Sequence, residues 1–487
     1  MKSAIKSIVR KVSNYLYASQ WGQEFSYDLL PPEKIRAIAT INPLIRTELV
    51  KFSRSEYDRN PYYQSVINKL ASHTIGPYPS IIGLSPEIEW NDTLEDNYLD
   101  WMRDNKIGWV YRQIRKEAAL TGIGIAIPFK NKNTLNPVSL SYKVYGSDCL
   151  KTPYDAVPSD RIYSGIEYDE NWEPYKFHVI DKDYNETYTP SSRKDTKEYT
   201  VDELIYWSRG YENGMITALP ECYAAFSFYP FIRRFLQAVI EGEEFRASFP
   251  MAIELDASVY SPNATQRENP PYGEFEYEPR TIKTLPVGAS LRGLPSGTSS
   301  SDKDKLIKTF AGVCATTVEM PFNIAVSDSS NSNMASAQVD VQPWANKIEI
   351  DRFDMEPEVF RKSMKRWYSI AILKENLFAN RYRIQQRYPF GFPHTNVFAD
   401  IHSHPDPAKR ANARAIDLAS GATTLNHIYS QNGKNARREL KRDADLFNVK
   451  EDQFLETILV SRSNQVINIL EGSDENDTVQ STNSSKD

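Results

Sequence analysis

Two stretches of the chain have the hydrophobic periodicity of amphipathic helices. In YPFIRRFLQAVIEG, apolar residues recur at i, i+1, i+4, i+5, i+8 and i+9 across 231–240, which places them on one face of a helix. The same stripe runs through 306–318, where Ser301 or Asp302 can cap the first turn and Pro321 can end the helix. The pattern therefore predicts two long helices.

The pattern changes between and after these helices. MAIELDASV and FEYEPRTIKTLPVGASLRGLP have the composition of short strands, separated by the turn-rich SPNATQRENPPYG. After the second helix, residues 327–336 contain almost no apolar side chains. This composition predicts a solvent-exposed loop.

The first part of the chain passes from helical to strand patterns. Two helices are predicted within 31–72, where prolines stand at helix starts and a glycine follows the end. One long helix is predicted in DTLEDNYLDWMRDNKIGWVYRQIRKEAALTG, and strands from Gly124 to ELIYW. The tract SSRKDTKEY predicts a charged surface loop. Helices followed by meandering strands indicate an α+β module.

The C-terminal part is predicted to be mainly helical. A helical pattern continues from Trp344 to about Arg383, the strand-like NVFADI follows, and the remaining periodic segments are helical. From Gly472 onward the tail is acidic and hydrophilic, so we expect it to be disordered.

Composition indicates a folded protein without a membrane segment. The 487 residues leave room for about three domains, and 40 % apolar residues suffice for real cores. A net charge of −6 argues against a protein that coats nucleic acid, but not against one past which DNA slides. No apolar run has the length of a membrane span. The basic, amphipathic residues 1–30 are expected to form an arm that docks on a neighbour, or to contact an acidic partner.

A histidine pair is the strongest candidate for chemistry. His402 and His404 with Asp406 form a metal-ligand pattern. The string HSHP also occurs in zinc-dependent isopeptidases, but the positions of their remaining site residues hold Asn412 and Ala415 here. The adjacent prolines favour a turn that leads into a helix. A metal-dependent hydrolase remains the alternative function.

Other catalytic signatures are absent. The sequence contains no GxxxxGK[ST], GxSxG or HExxH motif, and no GxGxxG follows a strand. The three cysteines form no CxxC or zinc spacing and are expected to be reduced, structural thiols. We therefore expect no enzyme activity, no cofactor and no bound metal.

Three groups of residues are candidates for binding. The loop residues Asp328, Ser329, Ser330, Asn331, Ser332 and Asn333 offer hydroxyl and amide groups that can contact phosphates weakly. Lys303, Lys305 and Lys308 form a small basic face on the second helix, interleaved with aspartates that favour a solvated face. Tyr272, Phe275 and Tyr277 are aromatic residues in a polar setting, which suits a subunit or partner interface.

Four sequence pieces, in this order, resemble the lambda-like portal proteins of tailed bacteriophages over roughly 53–446. They are SEYDRNPYYQSVINKLASHTIG; VPSDRIYSGIEYDENWEPYKFHVID; PRTIKTLPVGASLRGLPSG with KTFAGVCATTVEMPFNIAVSD and SNSNMASAQ; and DPAKRANARAIDLASGATTLNHIYSQNGKNARRELKRDADLF. No single piece identifies the family, but the four pieces in the same order are specific to it.

The resemblance implies an α+β portal fold that assembles as a ring. Its parts would be the N-terminal arm 1–30, the wing 31–219, stem helices in 220–250 and 301–321, the clip 251–300, the channel loop 322–336, a helix returning to the wing in 337–404, the helical crown 405–471 and the disordered tail 472–487. Lys303, Lys305 and Lys308 would then face the lumen from the stem.

The resemblance also implies a function and partners. A ring of about twelve copies would stand at one capsid vertex of the virion, after assembly in the host cytoplasm, and pass double-stranded DNA during packaging and ejection. The clip would dock the terminase large subunit and later the head–tail adaptor proteins, and the ring would contact the major capsid and scaffolding proteins. The alternative within virions is an adaptor or minor capsid protein.

Overall fold

The structure is a computed structural model that describes residues 43–153, 161–180, 196–209, 218–248, 251–255, 289–293, 300–328, 334–374, 377–378, 380–399, 407–432, 434–450 and 453. These residues belong to two compact units. One unit combines Met1–Tyr229 with Gly312–Asp487, and the other is Pro230–Ala311.

In the first half of the chain, helices come first and strands follow. The elements are α1 (Pro43–Arg59), α2 (Pro61–Ile75), β1 (Ser80–Gly83), α3 (Ile88–Asp104), α4 (Ile107–Thr121), β2 (Ile123–Lys130), β3 (Leu140–Gly146), β4 (Ile162–Tyr163), β5 (Ile166–Tyr168), β6 (Pro174–Val179), β7 (Lys197–Thr200) and β8 (Ile205–Ser208).

In the second half, helices predominate. The elements are α5 (Tyr229–Ser248), β9 (Met251–Leu255), β10 (Ala289–Gly293), α6 (Ser300–Ala315), α7 (Phe322–Val326), α8 (Met334–Met355), a π-helical turn (Glu356–Phe360), α9 (Arg361–Ala371), α10 (Arg381–Arg387), β11 (His394–Val397), α11 (Pro407–Ala419), α12 (Leu425–Gln431) and α13 (Ala436–Leu446).

All the described strand pairs are antiparallel. The strands form sheets in the orders β3-β2-β8 and β4-β5-β6-β7, and the pairs β1-β11 and β9-β10. The main core lies where α3, α4 and α9 pack with β2 and β3, around the buried rings of Tyr98, Trp101 and Trp367. Trp101 also donates from Nε1 to the Leu140 carbonyl at 2.9 Å, so its one polar atom is satisfied.

Several predicted elements are confirmed. The lead-in consists of two helices: Asn60 caps α2, Pro61 stands at its first position, and Gly76 with φ +69° ends it. The first apolar stripe lies on α5, and strands begin at Ile123, close to the predicted Gly124. The mixed α+β class is therefore correct.

The predicted long helix before Gly124 is wrong, because the chain forms two helices there. α3 ends at Asp104, and Lys106 adopts a left-handed φ of 54° before α4 begins. The last helical bond runs from the Asn105 backbone N–H to the Trp101 carbonyl at 3.0 Å, and the Asn105 side-chain amide donates to the same carbonyl at 3.3 Å. The left-handed residue that follows turns the chain out of the helix.

The second striped helix is also shorter than predicted. α6 ends at Ala315, and a 3₁₀ turn, Thr316–Val318, replaces its last turn. The hydroxyls of Thr316 and Thr317 donate to the carbonyls of Val313 and Cys314 at 2.6 and 2.8 Å. These local bonds tighten the chain at the helix end.

Three further boundaries differ from the predictions. The predicted loop 327–336 is shorter, since α8 begins at Met334, where methionine and alanine favour a helix. Lys197–Thr200 is a strand and not part of a charged loop, because it pairs with β6. The strand predicted in NVFADI lies two residues earlier, because His394 pairs with Gly83. Residues 185–190 and the predicted last helix after 453 lie outside the described residues.

α13 in the predicted crown is held to α3 through a buried carboxylate. Glu95 accepts from the Gly83 amide at 2.9 Å and from the Asn435 side-chain amide at 2.7 Å. Asn435 caps α13, and Arg438 pairs with Asp96 at 2.9 Å. Burial raises the pKa of Glu95 to about 7, against the two hydrogen bonds, which lower it.

This raised pKa predicts a pH-dependent stability. The folded chain keeps a proton on Glu95 that the unfolded chain releases above its pKa of 4.5, so folding becomes less favourable as the pH rises from about 4.5 to about 7. As the pH is raised from 5 to 8, we expect the unfolding temperature of the wild type to decrease more than that of Glu95→Gln. Glu89→Gln, at an exposed position of α3, is the control. Parallel pH profiles of wild type and Glu95→Gln would contradict the prediction.

Candidate functional site

The predicted channel loop 322–336 begins with a short helix, α7, and its last three residues belong to α8. The six candidate contact residues, 328–333, are called the predicted loop below. Pro321 precedes α7, and Ser327, with φ +59°, ends it. The Phe322 ring lies over Gly312, where an added Cβ would come within 2.3 Å of the ring. Asp328 is the one predicted loop residue that the structure describes, and Ser329 to Asn333 lie outside the described residues.

Lys69 of α2 binds this helix at its C-terminal end. Its ammonium group donates to the carbonyls of Ile324 at 2.5 Å and Ala325 at 3.1 Å, and to the hydroxyl of Ser327 at 2.6 Å. The three donors of a lysine are thus matched by three acceptors. A cation at this end also complements the negative end of the helix dipole.

Helix α2 also contacts the chain that follows the predicted loop, through His73, one helical turn after Lys69. Trp344 of α8 is fully buried and donates from Nε1 to Nδ1 of His73 at 3.0 Å. Because a tryptophan can only donate, Nδ1 of His73 must be unprotonated. Burial and the nearby cations of Lys69 and Arg352 lower the pKa of His73, which keeps the ring neutral.

Arg352 reinforces the contact between α8 and the end of α2. Its guanidinium donates to the carbonyls of Thr74 at 2.8 Å, His73 at 3.1 Å and Ala399 at 3.2 Å, and lies 4.7 Å from the ring centre of Phe398. The terminal carbonyls of α2 are thereby satisfied. α2 therefore contacts the described chain on both sides of the predicted loop.

A buried ion network lies at the start of the segment that leads to α5. Arg115 of α4 is fully buried and forms hydrogen bonds with both oxygens of Glu221 and, at 2.9 Å, with Asp351 of α8. Lys347 also donates to Asp351 at 2.9 Å, and Arg209 lies 3.2 Å from it. The network thus joins α4, the end of β8, the approach to α5, and α8.

The cations of this network keep the Asp351 carboxylate ionised. Burial alone would raise the pKa of Asp351, but Arg115, Lys347 and Arg209 outweigh it and lower that pKa. The carboxylate therefore stabilises the fold above the unfolded pKa of 3.8, and this contribution is lost as the pH falls through the lower folded value. Sequence reasoning missed the network, because Arg115 is 106 residues from Glu221 and 236 from Asp351.

The predicted lumen lysines lie where expected along α6, and their role stays a prediction. Lys303, Lys305 and Lys308 belong to this helix. Lys305 is exposed and Lys308 is half-buried. The clip residues Tyr272, Phe275 and Tyr277, and the alternative metal ligands His402, His404 and Asp406, lie outside the described residues.

The described residues were compared with the requirements of a metal site and of a reactive thiol. They contain no group of three histidine, cysteine or acidic side chains that could hold a metal. All three cysteines are free and buried, and burial raises the pKa of Cys222 and Cys314 to about 12, so these thiols stay protonated. Across the same residues, no helix has both the length and the apolar character needed to span a bilayer.

Comparison with known proteins decides the family. The family model described as "Phage portal protein, lambda family" matches residues 32–351. The chain belongs to this family. The matched range includes Lys69 and His73 of α2 and the segment from α5 into α8. It also includes the ion network, whose last member is Asp351. Lambda-family portal proteins are structural components of virions and are not an enzyme family.

Solved structures similar to this portal-family chain come from gene transfer agent (GTA) particles. They are the "Neck of empty GTA particle computed with C6 symmetry" (11 % identity, TM-score 0.44, covering 78 % of this chain and 90 % of that one), the "Neck of native GTA particle computed with C12 symmetry" (11 %, 0.37, 84 % and 95 %) and the "Virion of native gene transfer agent (GTA) particle" (10 %, 0.39, 84 % and 94 %). No curated protein matches the chain.

Proposed function

We propose that this chain forms a ring at one capsid vertex and that the ring is the channel for double-stranded DNA in packaging and ejection. The observation that carries the proposal is the match of residues 32–351 to the portal family, a range that includes α5, the β9-β10 pair, α6, α7 and the whole predicted channel loop 322–336. We assign this order of helix, strand pair, helix and polar segment to the stem, clip, stem and loop of the proposed ring.

Charge and polarity are compatible with passing DNA without gripping it. A protein that neutralises many phosphates binds DNA tightly and loses affinity with salt. Here the net charge is −6, and the predicted loop offers hydroxyl and amide groups, which contact phosphates without reading sequence. Head-to-tail contacts between identical copies close a ring when the rotation per copy divides a full turn.

The proposal extends to partners. The clip segment 251–300, with Tyr272, Phe275 and Tyr277, would bind the terminase large subunit during packaging and the head–tail adaptor proteins afterwards. The ring would also contact the major capsid and scaffolding proteins. Exposed aromatic residues are enriched at the centres of such interfaces.

Electron microscopy of the purified protein, viewed along the particle axis, tests the assembly. We expect rings of about twelve copies, each with a central hole wide enough for a DNA duplex. Monomers or dimers, in the presence of scaffolding protein as well as alone, would contradict the proposal and favour an adaptor or minor capsid protein.

A deletion within the predicted loop tests the role in DNA passage. We expect removal of residues 331–333 to leave rings intact but to reduce DNA packaging, because the contact surface around the duplex is lost. Packaged DNA per particle and plaque formation measure the effect. Removal of three polar residues from the C-terminal tail, 482–484, is the control. Normal packaging by the loop variant would exclude the loop from the mechanism.

A further inference from the structure

Helix α2 contacts the chain on both sides of the predicted channel loop through two residues one helical turn apart. Lys69 binds the segment before the loop, and His73 binds Trp344 in the helix after it. Residues four apart lie on the same face of a helix. Lys69 therefore fixes the chain just before the predicted loop, and His73 fixes α8 at Trp344, ten residues after its first residue, Met334.

We propose that α2 is the anchor that positions the channel loop, with Lys69 setting its first end and His73 its second. This inference rests on the proposed function of residues 328–333 as the channel loop. Lys69 and His73 are positioning residues, since each acts on the loop through the chain segment that it binds.

The short length of α7 explains why Lys69 matters. α7 has five residues, and so short a helix gains too few internal hydrogen bonds to be stable alone. The Ile324 and Ala325 carbonyls belong to its last turn, where the backbone alone supplies Ile324 only with a long bond from the Ser327 N–H at 3.4 Å. The lysine supplies a donor to each and a third to Ser327. Without them the turn that directs the chain into Asp328 loses its fixed geometry.

The second end is fixed by different interactions. The Trp344 ring is buried edge-on against His73, with ring centres 5.9 Å apart, and its indole N–H has the histidine as acceptor. α8 is held in addition by Arg352 and by the ion network. Loss of Lys69 should therefore loosen the first end of the loop while α8 stays in place.

Hydrogen–deuterium exchange of the purified full chain tests the anchor. In Lys69→Met we expect the amides of 322–328 to exchange about tenfold faster or more, since three hydrogen bonds to a charged group are lost, while those of 340–355 stay unchanged. Lys51→Met is the matched control, because Lys51 is an exposed lysine of α1 with a surface ion pair to Glu48 at 2.8 Å. Lys69→Arg keeps the charge and should restore most of the slow exchange.

The outcomes separate the anchor from the channel. Equal exchange of 322–328 in Lys69→Met and Lys51→Met would overturn the anchor, whatever the packaging result. Faster exchange in Lys69→Met supports it, even if the 331–333 deletion packages DNA normally and the channel function fails. Should Lys69→Met not fold, Ser327→Ala removes only the 2.6 Å contact and must accelerate exchange in the same peptide; unchanged exchange would then overturn the anchor.

Discussion

Replacement of Asp351 by asparagine is expected to destabilise the chain by about 3 to 5 kcal/mol, the range typical for breaking a buried ion pair. The network around Asp351 holds three cations, Arg115, Lys347 and Arg209, and two anions, Asp351 and Glu221. It therefore already carries one excess positive charge. Asparagine keeps the size of the side chain but doubles that excess around the buried side chains of Arg115 and Lys347.

The matched control is Asp354→Asn, the same change at an exposed position three residues further along α8, which should alter stability by less than about 0.5 kcal/mol. Urea unfolding at a fixed protein concentration measures both variants. The double variant Asp351→Asn/Arg115→Met removes one charge of each sign and should lose less than the sum of its single changes. Strict additivity would show that the charges do not act together.

Replacement of Gly122 by alanine is the second change with a large expected effect. Gly122 ends α4 with φ +83°, and an added Cβ would lie 2.4 Å from the Ala218 carbonyl oxygen and 2.8 Å from the Leu219 nitrogen. These are backbone atoms of the segment that leads to α5, so they cannot move aside as a flexible side chain would. The left-handed conformation and the overpacking together should cost about 2 to 5 kcal/mol.

Gly421→Ala separates the two causes. Gly421 has a similar φ of +76°, but an added Cβ there meets no atom within 4 Å. Its substitution should therefore show only the conformational cost of about 1 to 2 kcal/mol. Thermal midpoints of both variants provide the comparison. Equal decreases in unfolding temperature at the two positions would mean that the close contact of Gly122 with Ala218 does not add to the cost of the substitution.

Local patterns predicted much of the fold, because helix periodicity, caps and turn residues act over a few positions. The stripe of 231–240 and the cap at Asn60 with Pro61 are examples. Some errors arose where a distant pairing fixes a strand, as for His394 with Gly83, and others where a side chain competes with the backbone, as at Thr316 and Thr317. Composition alone does not reveal such competition.

The anchoring contacts could not be predicted from the sequence for a different reason. Lys69 is 255 residues from Ile324, and His73 is 271 residues from Trp344. Neither residue stands in a distinctive motif, since a lysine and a histidine on an amphipathic helix are ordinary surface residues. Only the packing of α2 against α7 and α8 brings them to the start and the end of the predicted loop.

The burial of all three cysteines offers a practical route to this region. Thiol-directed reagents react with exposed thiolates, so Cys149, Cys222 and Cys314 should contribute little background in the native protein. A single cysteine introduced at exposed Glu319, which makes none of the contacts to Lys69, would then accept a fluorophore or spin label selectively, without prior removal of the native thiols. In the proposed ring, distances between labels on neighbouring copies would report the ring diameter at that level.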